Sequence, residues 1–63
     1  MTDFFSSNGF IFNKEGENDL QECYLKTDNG MTEFYSQNEN EGQWDHVIMN
    51  QDFDVVLTET VTL

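Results

Sequence analysis

The sequence predicts a small all-β domain: a five-stranded antiparallel meander, partly or fully curled into a barrel of SH3 or OB size, with at most one short helical turn. Three observations predict it. Asn29-Gly30 separates two alternating stretches, and this pair tolerates the positive φ that both centres of a type I′ hairpin turn require. Residues 53–63, FDVVLTETVTL, alternate with period two and are rich in valine and threonine. No window repeats apolar residues at the 3.6-residue interval of an amphipathic helix.

Taken in order, DFFSSNGF (residues 3–10) suggests a tight hairpin leading into a short apolar strand near NGFIFN (8–13). NKEGEND (13–19) is turn-like, and a turn of helix over 17–22 capped by Asn18 is the one helical element the pattern admits. The stretch 23–36 is the hairpin. Its two-residue loop sets Lys26 opposite Glu33, Leu25 opposite Phe34 and Tyr24 opposite Tyr35. Such matched cross-strand pairs contribute about 0.2–1 kcal/mol each, and Lys26 is expected to pair locally with Glu33. SQNENEGQ (36–43) turns into QWDHVIMN (43–50), where Trp44, His46 and Ile48 share one face. NQDFD leads into the last strand, whose apolar stripe Phe53, Val55, Leu57, Val61, Leu63 is interrupted by Glu59, where a bend is expected. Cys23 and Leu25 fall on the expected core face.

One domain is all that 63 residues allow. A chain of this size buries only about 60% of its unfolded surface, and the lone Cys23 permits no internal disulfide. The nine aromatic residues, 14% of the chain, supply the compensation. They also argue against disorder. The opening MTDFFSSNGF lacks a positive stretch before an apolar run, so no signal peptide is expected. The longest apolar runs, FIF, VIM and VVL, fall far short of a membrane span. With one cysteine the expected compartment is the cytoplasm, or the host cytoplasm for a phage-encoded chain.

Thirteen acidic residues face only Lys14 and Lys26, for a formal charge of −11. Such a chain repels nucleic acid and anionic membranes and attracts basic proteins. It also repels itself, so added salt is expected to raise the melting temperature.

The residues do not assemble a catalytic site. With 13 acids, carboxylate pairs arise by chance, Asp45 and His46 alternate to opposite sides of a strand, and Cys23 reads as a buried structural thiol. One cysteine and one histidine cannot close a zinc site. NKEGENDLQE and NENEGQWD carry alternating oxygen donors but miss the D-x-[DN]-x-[DN]-G calcium loop, and solvated turns account for them better. No enzyme, metal or cofactor is expected.

The acidity itself is the candidate. Glu15/Glu17/Asp19, Glu39/Glu41 and Asp52/Asp54 have i, i+2 spacing, about 6.8 Å along one face of a strand. That is close to the interval between neighbouring phosphates on a winding nucleic-acid backbone. With Asp45, these carboxylates would steer a basic cleft, and neighbouring hydrophobic residues such as Trp44 and Phe53 would anchor it. The simpler account is that acidic turns keep an aromatic-rich protein soluble and Trp44 is core. The near absence of lysine favours the first account, because mixed charges would give solubility without self-repulsion. In size, charge and β-richness, though in no motif, the chain resembles the small acidic inhibitors of bacteriophages and mobile elements, some of which mimic DNA. The expected function is therefore stoichiometric inhibition of a basic DNA- or RNA-binding protein. The alternative is a non-catalytic assembly module that pairs through a β edge, including with itself as a homodimer, motivated by the long threonine-rich C-terminal strand.

Overall fold

The computed structural model describes residues 4–63. A helical turn α1 (Phe4–Ser7) precedes five strands: β1 (Ile11–Asn13), β2 (Cys23–Asp28), β3 (Met31–Gln37), β4 (Gln43–Met49) and β5 (Val55–Thr62). The strands form one antiparallel sheet in the order β1-β2-β3-β4-β5. Among the described residues no ladder joins β1 to β5, so the sheet stays open rather than closing into a full barrel.

The β2–β3 hairpin has the expected register, with Tyr24 opposite Tyr35, Leu25 opposite Phe34 and Lys26 opposite Glu33. Asn29 at φ 53° and Gly30 at φ 79° supply its turn. A side chain at Gly30 would meet the Gln51 amide at 3.3 Å, which places this turn beside the one joining β4 to β5. The Lys26–Glu33 ion pair does not form: Glu33 turns to His46, and Lys26 Nζ lies 5.6 Å from the Phe10 ring centroid.

Three other local expectations change. The hairpin expected over 3–10 is replaced by α1, with Asp3 outside the described residues. A strand would send Phe4 and Phe5 to opposite sides. The helical turn instead gathers Phe4, Phe5 and Phe10 onto one face of the sheet, and it ends where Gly9 takes φ 80°. The helix over 17–22 shrinks to a 3-10 turn at Glu17–Asp19, because Asn18 and Asp19 adopt left-handed φ of 53° and 59°. The last strand begins at Val55, since the Asn50 side chain accepts the amides of Asp52 and Asp54 and holds Phe53 in the turn. The expected bend at Glu59 is absent. The irregularity lies between Ile48 and Met49, where Val56 is the extra residue of a bulge.

Alternation along the strands divides the sheet into two faces. Tyr24, Tyr35, His46 and Glu59 are successive cross-strand neighbours on one of them. α1 covers this face: the Phe5 ring stacks on Tyr24 at 4.0 Å with planes 5° apart and meets Tyr35 and Trp44 edge-on at 5.4 and 5.0 Å. The principal core therefore lies on the aromatic face, opposite to the Cys23/Leu25 side that the strand pattern suggests. On that second side Leu25, Phe34 and Val47 are neighbours, and the 14–22 connection contributes Asn18 and Leu20 beside them. Asn13, 3% exposed, ties the connection down. Its amide donates to the carbonyls of Lys14, Glu17 and Gln21, and its Oδ1 accepts from Asn18.

Candidate functional site

The candidate acids lie mostly in connections. Glu15, Glu17 and Asp19 occupy the β1–β2 connection, Glu39 and Glu41 the β3–β4 turn, and Asp52 and Asp54 the β4–β5 turn. The strand spacing that would mimic a row of phosphates therefore does not apply to them. Asparagine side chains shape these turns. Asn38 Oδ1 accepts the Asn40 amide, and Asn50 does the same service beside Asp52 and Asp54.

Trp44 and Asp45 part company. Trp44 projects into the aromatic face, against Phe5 and opposite Val61 on β5. Asp45 projects from the other side, where Oδ1 accepts from Asn38 Nδ2 at 2.9 Å and from Thr60 at 3.3 Å. A carboxylate the sequence does not single out, Glu22, shares with Phe12, Tyr24, Gln37 and Trp44 a hollow of about 170 Å³.

A second polar feature crosses the aromatic face. His46, 7% exposed, has Glu33 Oε1 at 3.0 Å from Nε2 and Glu59 Oε2 at 2.8 Å from Nδ1. Its ring stacks on Tyr35 at 4.2 Å with planes 11° apart. A neutral imidazole has one N–H, so both carboxylates receive a hydrogen bond only when both ring nitrogens carry hydrogen. Glu59 thus has a structural reason to interrupt the apolar stripe of β5: it faces His46 across the β4–β5 ladder. The interruption was the visible signal in the sequence.

Burial raises the pKa of Tyr35, and the nearby Glu33 and Glu59 charges raise it further. The folded state therefore holds this proton more tightly than the unfolded chain, whose tyrosine titrates near 10.0. The stability linked to it is complete below that value and is lost as pH rises through the higher folded value. Thermal melts across the alkaline range should fall more steeply for the wild type than for Tyr35→Phe. Equal slopes would detach the alkaline loss from this residue. Burial likewise raises the Cys23 thiol pKa, and the thiol projects from the side of the sheet opposite His46.

The second side holds an apolar trench that the sequence reading did not single out. Two adjoining hollows of about 240 and 180 Å³ share Leu20, Phe34 and Met49 as lining. Val47 extends the floor at one end, and Leu25 and Phe53 line the other. The available signal was alternation: Leu25, Phe34 and Val47 are apolar at positions one residue from Tyr24, Tyr35 and His46, so the central strands carry apolar residues on their second face as well. Phe53 stands at the mouth, 80% exposed and at φ 64°.

Among the described residues, no group of three or more histidine, cysteine or carboxylate side chains is arranged to hold a metal ion, and no helix is long and apolar enough to cross a membrane. In comparisons with known proteins, no family model, no curated protein and no solved structure matches the chain.

Proposed function

We propose that the protein is a stoichiometric, non-catalytic binder of a basic protein surface, an acidic decoy for a cytoplasmic protein that handles DNA or RNA. One observation carries this reading. Among the described residues no lysine lies within ion-pair distance of a carboxylate, and the two close contacts of a basic side chain with carboxylates are those of His46 with Glu33 and Glu59. Glu15, Glu17, Asp19, Glu39, Glu41, Asp45, Asp52 and Asp54 therefore keep their charge unmatched by Lys14 or Lys26. A charge of −11 on so small a body raises the rate of encounter with cationic clefts, and partner lysines and arginines can replace its counterions. The support is the uncompensated charge itself, since the acids do not form strand-spaced rows.

The test is capture from a host lysate on immobilised protein, eluted with rising NaCl. The reading expects DNA- or RNA-binding proteins that elute with salt. The triple variant Glu39→Gln, Glu41→Gln, Asp45→Asn should bind them more weakly and with a flatter dependence on NaCl. Retention indifferent to salt would end the decoy reading.

A second reading draws on β5, which among the described residues pairs only with β4, its other edge open. Val55 and Val56 are exposed there, and an open edge is a template for pairing with another strand. Edge pairing would show as a dimer mass that Val56→Lys reduces to a monomer. Self-pairing must overcome the repulsion of two chains of charge −11, so the decoy reading is preferred.

A further inference from the structure

We infer that the apolar trench on the second side of the sheet is the docking groove for a basic partner segment, which inserts one aliphatic or aromatic side chain between lysines or arginines. This rests on the reading that the partner is a basic protein, and it names what that partner presents. Two independent observations carry it beyond the acidic surface. The first is the trench: Leu20, Leu25, Phe34, Val47 and Met49 form a concave apolar strip on the face of the sheet opposite α1, bordered by the 14–22 connection. Pockets with apolar walls and few polar groups are the usual receptors for side-chain anchors.

The second is Phe53. A left-handed φ is a genuine outlier for a bulky residue, and here it holds an aromatic ring in solvent where burial returns almost nothing. Strain kept at an exposed apolar residue points to use in binding.

Charge selects the occupant. Asp52 and Asp54 flank Phe53, Asp19 precedes Leu20, and all three are exposed. The groove is thus apolar within and acidic around its mouth. A second copy of the chain would bring −11 against −11, and nucleic acid would bring phosphates against carboxylates. A cationic segment with a single apolar anchor satisfies both parts.

The probes are two synthetic twelve-residue peptides of lysine, serine and glycine, one with a central leucine and one with serine there. Binding is followed by amide and methyl NMR shifts at fixed moderate salt. The leucine peptide should bind about tenfold or more tightly than the serine peptide, as expected for burying one such side chain. Shifts should gather at Leu20, Leu25, Val47 and Met49. Phe53→Asn and Val47→Thr should each remove most of the difference, and Phe53→Asn should melt no lower than the wild type because asparagine tolerates this backbone conformation. Trp44, on the opposite face, should not respond.

Equal affinity for both peptides, with shifts confined to acidic residues, would overturn the groove while leaving the basic-surface reading standing. Shifts centred on Trp44, Phe12 and Tyr24 would overturn it in favour of the hollow on the aromatic face. Failure of both peptides to bind would remove the basic-surface reading, and the groove with it.

Discussion

Replacing Phe5 with alanine is expected to leave little or no folded protein at 37 °C. The ring is the hub of the aromatic face, stacked on Tyr24 and in edge contact with Phe4, Phe10, Tyr35 and Trp44. Among the described residues it is one of three buried hydrophobic residues, with Cys23 and Tyr35. Truncating a buried phenylalanine to alanine costs about 3–5 kcal/mol. At the usual stability per residue, a 63-residue chain has roughly 3–9 kcal/mol in total. The loss is therefore comparable to the whole, and any folded remainder should melt roughly 12 °C or more below the wild type. Phe5→Leu separates bulk from geometry. It keeps most of the apolar volume and forfeits the ring pairings, worth about 0.5–1.5 kcal/mol beyond area, so it should fold with a modest loss. Thermal melts by circular dichroism read both variants. If Phe5→Ala melted within a few degrees of the wild type, α1 would not be part of the core.

The parts of this fold legible in sequence are those decided by adjacent residues. Asn29-Gly30 fixes its hairpin because positive φ is a property of the two residues themselves, and the register of β2 on β3 follows from loop length alone. The rest depends on groups distant in sequence. Lys26 and Glu33 are matched partners in register, but His46 on β4 offers Glu33 a buried donor, and that competition cannot be seen within the hairpin. Phe4 and Phe5 read as strand residues until Tyr24, Tyr35 and Trp44 present a surface that a helical turn covers better. The charge of the candidate site was legible at once, as composition. Its layout was not, because the acids sit in connections whose path is set by Asn13, Asn38 and Asn50. The trench needs one face of three strands and the 14–22 connection beside it, so only its alternation could be read in advance.

Asn13→Asp is expected to have the second large effect, and to act first on the groove. The substitution is nearly isosteric, but the side chain is buried and its amide donates to three backbone carbonyls spread over the 14–22 connection. A carboxylate has no hydrogen to give them. It would set negative charge against three carbonyl oxygens, with Glu15 and Glu17 nearby in sequence. An uncompensated buried charge costs about 3–5 kcal/mol. Asn13→Ala removes the same donors without adding charge and should lose about 1–3 kcal/mol. The contrast between the two variants isolates the charge. Hydrogen exchange locates the damage. The amides of Gly16 and Leu20, bonded within the connection to Leu20 and Glu17, should lose protection in Asn13→Ala while β3 and β4 keep theirs. Because Leu20 lines both hollows of the trench, that variant should also weaken binding of the leucine-bearing basic peptide more than it lowers the melting temperature. Uniform loss of protection across the sheet would instead make Asn13 a pillar of the whole fold, and the connection inseparable from it.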